Sequence, residues 1–129
     1  MTQSACQPTG KSIFRMTRGD TRTFTLTVVL AGQRVNLTGC KLAWVANSYH
    51  PDDNSRITHS TDDGGVVISS GQSPASPTTG QATLALHPPD TNQFANEWIR
   101  FKTNWVLTDP SGNVTTIDRN EEIHMAPNV

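Results

Sequence analysis

Charge is scarce in this chain. Asp, Glu, Lys and Arg make up only 16% of its 129 residues, with 10 basic and 11 acidic groups for a net charge of −1. No basic patch stands out, which makes nucleic acid and anionic membranes poor partners. Cysteine is almost absent. Cys6 lies in a polar N-terminal stretch and Cys40 at the start of an expected strand. Two cysteines in a chain without a secretion signal read as free thiols and not as a bridge. The opening MTQSACQPTGK lacks the charged start and apolar core of a signal peptide, so synthesis in a cytosol is expected. No apolar run approaches a membrane span. Hydrophobic residues are also few, at 34%, and Thr, Ser, Asn and Gly fill the deficit. That mixture suits a sheet protein with polar outer faces, and the low charge argues against disorder. The length is that of one domain, able to bury roughly two-thirds of its unfolded surface.

Chemical motifs are missing too. There is no Gly-x-Ser-x-Gly elbow and no phosphate-cradling glycine loop ahead of a helix. His50, His59, His87 and His124 show no metal-ligand spacing. Asp52, Asp53 and Asn54 lack the spaced array and bidentate Glu of a calcium loop. Asp62/Asp63 and Glu121/Glu122 read as solvated turn residues. Arg18-Gly19-Asp20 spells an integrin-binding tripeptide, but it abuts a strand and reads as a turn. Asn36-Leu37-Thr38 and Asn113-Val114-Thr115 are chance glycosylation matches in a Thr- and Asn-rich chain. These absences point away from an enzyme and call for no cofactor and no metal.

What the sequence does contain is alternation. After the Arg18-Gly19-Asp20-Thr21 turn, Phe24, Leu26, Val28 and Leu30 face one way and Thr23, Thr25 and Thr27 the other. Ala31-Gly32-Gln33-Arg34 reverses the chain, and Val35 and Leu37 start a second extended run, so an opening hairpin is expected. Further strands are expected at 12–17, 40–46, 57–59, 66–68, 81–86, 98–107, 114–118 and 123–125. A charged turn, Arg119-Asn120-Glu121-Glu122, separates the last two. Pro88 to Asn96 reads as one helical turn anchored by Phe94. The loop 69–80, SSGQSPASPTTG, reads as polar and mobile. Buried positions should include Phe24, Leu26, Val28, Leu42, Trp44, Leu84, Leu86, Phe101, Trp105 and Leu107.

The fold expected is all-β, an immunoglobulin-like antiparallel β-sandwich of 7–8 short strands with at most one short helical turn. The domain plan is a flexible arm at 1–11, one sandwich at 12–126 and a tail at 127–129. Trp98 reads as core or subunit contact before it reads as a sugar-stacking ring. Tyr49 is its companion in that second reading.

Several motifs recur in order. They are Arg18-Gly19-Asp20-Thr21 before Phe24-Thr25-Leu26-Thr27-Val28, then Val35-Asn36-Leu37-Thr38-Gly39, then Gly64-Gly65-Val66-Val67-Ile68. Thr83-Leu84-Ala85-Leu86, Pro89-Asp90-Thr91, Val106-Leu107-Thr108-Asp109 and Ser111-Gly112-Asn113-Val114 follow, with Thr116-Ile117 last. In this order the chain resembles the N-terminal domain of tailed-bacteriophage baseplate upper proteins and related small phage structural proteins, across about residues 13–125. The resemblance implies a non-enzymatic virion subunit, assembled in the host bacterial cytoplasm, that contacts other virion proteins and copies of itself. It departs from the family at Arg119-Asn120-Glu121, where a glycine-containing turn is common. Alternatives are a capsid decoration or head-fibre protein and, from another class, a module that binds a host surface glycan. The expected assembly contacts are Met1 and Lys11 in the arm, Ser69 and Gly80 at the ends of the loop 69–80, and Val129 at the C-terminus.

Overall fold

A computed structural model describes residues 12–49, 55–72, 76–94 and 96–128. The chain forms a sandwich-like all-β fold. The strands are β1 (Ser12–Thr17), β2 (Arg22–Thr27), β3 (Val29–Leu30), β4 (Gln33–Arg34), β5 (Lys41–Ser48), β6 (Arg56–Ser60), β7 (Val66–Ile68), β8 (Gln81–Leu86), β9 (Ile99–Thr108) and β10 (Val114–Ala126). One short helix, α1 (Pro88–Asn92), sits between β8 and β9. A five-stranded sheet runs β1-β10-β9-β5-β6 and faces a three-stranded sheet β2-β8-β7. Strands β10-β9-β5-β6 and β2-β8-β7 follow the G-F-C-C′ and B-E-D orders of an immunoglobulin variable-type domain.

The core forms because inward positions alternate along every long strand. Ile99, Phe101, Thr103, Trp105 and Leu107 are all buried on β9, as are Leu42, Trp44 and Ala46 on β5. Leu26 on β2 and Ala82, Leu84 and Leu86 on β8 meet them from the smaller sheet. Trp44 and Trp105 are direct cross-strand partners. Every residue expected in the core is buried except Phe24, which is half-buried at the sandwich edge and meets Phe14 edge-on, their centroids 5.3 Å apart.

Five sequence expectations need correcting. First, the opening hairpin does not exist as drawn. β2 pairs with β8, and the chain then breaks at Val28, where the amide bonds to Gly80 O at 2.7 Å. Only the two-residue strands β3 and β4 form a hairpin, closed by Ala31 and Gly32 at φ of 55° and 79°. Positive φ at both central residues is what a tight hairpin turn matched to strand twist requires. Val35 and Leu37 belong to a loop that buries Leu37, and Leu30 is exposed. Second, the sandwich is not purely antiparallel, because β1 pairs in parallel with β10. The turn between β1 and β2 therefore carries the chain from one sheet to the other. Its docking on α1 explains its residues. Arg18 donates to the carbonyls of Asn92 and Phe94, and Gly19 N–H donates to Thr91 Oγ1 at 2.8 Å.

Third, the charged segment 119–122 is no turn between two strands. Residues 114–126 are one strand, with four steps from Ile117 to Glu121 set against two on β9, from Trp105 to Thr103. Such a bulge bends the strand but keeps its partner. Asn120 takes the left-handed conformation there, at φ 54°. Fourth, the described part of the loop 69–80 is knitted tightly. Gln72 accepts from the amides of Leu37 and Gly80 through Oε1 and donates to the carbonyls of Ser69 and Thr78 through Nε2. One amide group thus satisfies four backbone groups, so polarity here secures the loop. Fifth, of the two roles expected for Trp98, core or subunit contact, the core one fails, because the residue is 70% exposed.

Candidate functional site on the outer face of the five-stranded sheet

Register builds the site. Because Ile99 and Phe101 point inward, Arg100 points outward, and on β10 the outward residues flanking Ile123 are Glu122 and His124. Arg15, His124 and Arg100 occupy one rung across β1, β10 and β9. Tyr49 extends that rung past β5, where its amide donates to Arg100 O. Ile13, Glu122 and Lys102 form the next rung.

At the centre lies Glu122, 1% exposed although it belongs to the outer face. Tyr49 OH donates to its Oε2 at 2.7 Å, and His124 Nε2 lies 2.9 Å from its Oε1. The Arg100 guanidinium is 4.0 Å from the same carboxylate and stacks over the Tyr49 ring, 4.4 Å from its centroid. Burial, then the hydrogen bond to Glu122, push the Tyr49 hydroxyl above its ordinary pKa. The carboxylate thus fixes three neighbours at once. Sequence reading placed it among solvated turn residues because its covering side chain, Tyr49, is remote in sequence.

Glu121 points the opposite way, into a cleft at the open edge of the sandwich. This cleft holds a cavity of about 230 Å³ beside β2, lined by Phe14, Phe24, Trp44 and Trp105 together with Arg22 and Arg119. Burial raises the Glu121 carboxyl above its ordinary value, and Arg119 partly opposes the shift.

A second cluster surrounds His59. Nε2 lies 2.9 Å from Asp90 Oδ1, and Nδ1 lies 3.4 Å from Asp63 Oδ2. Asp90 also caps α1 by accepting from the His87 amide, so the histidine ties edge strand β6 to the helix. Gly65 leaves room for the ring, since a Cβ there would collide with it. A hydrolytic relay needs a ring nitrogen on a nucleophile. Here both nitrogens face carboxylates, and a structural tie is what the geometry provides. Backbone N–H groups of Gly65 and then Ser60 hold the Asp63 carboxyl below the ordinary carboxylate range. A depressed folded-state pKa contributes stability above the unfolded pKa, and that stability is lost as pH falls through the folded value. Asp63→Asn should therefore be less stable than the parent at neutral pH and equal to it in strong acid. Urea midpoints at the two pH values check this.

Of the expected contact residues, Met1, Lys11 and Val129 lie outside the described residues, as do His50 and the 52–54 cluster. Ser69 is half-buried at the end of β7, its amide bonded to Gln81 O. Gly80 is a buried joint at φ 82°, and a Cβ there would lie 2.9 Å from Val28 O. Among the described residues of this loop, Ser70 and Pro77 are exposed. Cys40 is a free, partly buried thiol raised above its ordinary pKa by burial and then by Asp109. Among the described residues no group of three His, Cys, Asp or Glu side chains could hold a metal ion, and no helix is long and apolar enough to cross a membrane.

The fold and this face define an immunoglobulin-like sandwich with a polar, aromatic-edged outer surface. No protein-family model matches the chain, and a search of curated proteins finds no match.

Proposed function

We propose that this protein is a non-enzymatic structural subunit of a bacteriophage virion, a tail or baseplate adaptor that contacts other virion proteins and copies of itself. The supporting observation is where the motifs of the phage resemblance fall. Arg18–Thr21 is the turn that crosses between sheets and docks on α1. Val35–Gly39 is the loop that buries Leu37, and Gly64–Ile68 carries the chain past His59 into β7. The first and third of these segments carry the chain between the two sheets, and the second leads from the β3–β4 hairpin into β5.

The surface suits assembly through edges and loops. Strands β1, β6, β2 and β7 end their sheets, and edge strands offer unpaired backbone groups to a neighbour. Among the described residues only six large apolar side chains are exposed, Val67 and Val114 among them. The test is hydrogen exchange of the full chain, free and in the particle. Edge-strand amides, β2 foremost, should exchange more slowly in the particle. Equal exchange in both states would overturn an edge-mediated assembly. Copy number separates this reading from a capsid decoration or head-fibre protein. Hundreds of copies mean the capsid, and a few dozen or fewer in multiples of three or six mean the tail.

A further inference from the structure

The protein has three tryptophans, and two are spent on the core. Trp44 and Trp105 are each 3% exposed, whereas Trp98 is 70% exposed. Trp98 immediately precedes β9, next to inward-facing Ile99, so strand alternation turns its indole to the outer face. It borders a hollow of about 210 Å³ whose polar lining is Arg15, Thr17, Asp20, Arg22 and His124. Pockets that take drug-sized ligands run to roughly 300–1,000 Å³, and this smaller hollow is on the scale of a single ring.

The lining is held in place. His124 is oriented by buried Glu122, 2.9 Å away. Arg22 donates to Arg15 O at 3.1 Å and leans on the Phe24 ring. Asp20 accepts from the Thr17 amide. Arg15 differs from these. Among the described residues no carboxylate lies within ion-pair distance of its guanidinium, and the side chain is exposed. Two arginines against one turn-bound aspartate leave the hollow positive.

The geometry points to a binding site for an acidic saccharide, in which Trp98 carries the face of a pyranose ring and Arg15 takes its carboxylate. A pyranose presents a flat face of C–H groups, which packs on an exposed indole, and a rim of hydroxyls, which Thr17, Asp20 and His124 can meet. A guanidinium without a partner matches a planar carboxylate with two parallel hydrogen bonds. A peptide strand would instead use the free edge of β1 and a row of pockets for alternate side chains, whereas Trp98 borders a single ring-sized hollow among the described residues. This site stands independently of the virion reading.

The test uses the full chain with tetragalacturonate and sialyllactose as acidic probes and lactose as the neutral one. Trp98 is the exposed fluorophore, so at least one acidic probe should quench or shift tryptophan emission at millimolar concentration or below. Lactose should bind at least about tenfold more weakly. Arg15→Ala should weaken the acidic probe about tenfold and leave lactose unchanged. Trp98→Ala, read by calorimetry because the reporter is lost, should abolish binding without lowering the melting temperature. The proposal is overturned if neither acidic probe binds at millimolar concentration, or if Trp98→Ala binds as the parent does. It is equally overturned if Trp98→Ala dissociates an oligomer of this chain, since the ring would then be a contact between copies.

Discussion

Trp105→Ala is expected to lower the unfolding free energy by about 3–5 kcal/mol, the cost of deleting a large buried aromatic whose surroundings relax only in part. The ring is 3% exposed, sits opposite Trp44 on the neighbouring strand, and walls the cleft beside β2. Removing it merges an existing cavity with a new one, so little can collapse to fill the space. For a domain of this size the melting temperature should fall by more than about 10 °C. Denaturant unfolding measures the effect directly. An unchanged midpoint would mean that Trp105 faces solvent, and β9 would be shifted by one residue relative to its neighbours.

Glu122→Ala is expected to cost about 3 kcal/mol, for a different reason. The substitution removes a buried carboxylate that accepts from Tyr49 OH and pairs with His124, with Arg100 close by. Breaking a buried charged cluster leaves its remaining members desolvated without their acceptor. Glu122→Gln keeps a carbonyl acceptor and should cost less than half as much. Tyr49→Phe removes one hydrogen bond and should cost about 1 kcal/mol. Equilibrium unfolding of the three variants gives the ranking. If Glu122→Ala matches the parent within about 0.5 kcal/mol, as ordinary surface substitutions do, then the carboxylate reaches water in solution.

These two residues mark what was legible in the sequence. Trp105 lies in a ten-residue alternation that specifies strand, face and burial by itself. Leu26, Trp44 and Leu84 were readable the same way, because a period of two is local information. Glu122 was not readable. Its outward register matches that of a solvated residue, and its burial comes from Tyr49, 73 residues away. The parallel pairing of β1 with β10 was hidden for the same reason, since it joins the two ends of the domain. The segment 119–122 looked like a turn because it is charged and carries Asn120, a turn-favouring residue. Only the shared partner β9 shows that a single strand continues through it. Gln72 shows a further limit, since a polar loop residue can be a hub when backbone groups converge on it. At the proposed saccharide site Trp98 was singled out by type alone, while Arg15, Asp20 and His124 became its neighbours only through the fold.

The most direct test of a virion role is quantitative mass spectrometry of purified phage particles from the host that carries this gene. The proposed function predicts the chain in the particle at a fixed ratio to the other structural proteins. Abundant chain in the infected-cell lysate, with none in the purified particles, would contradict it.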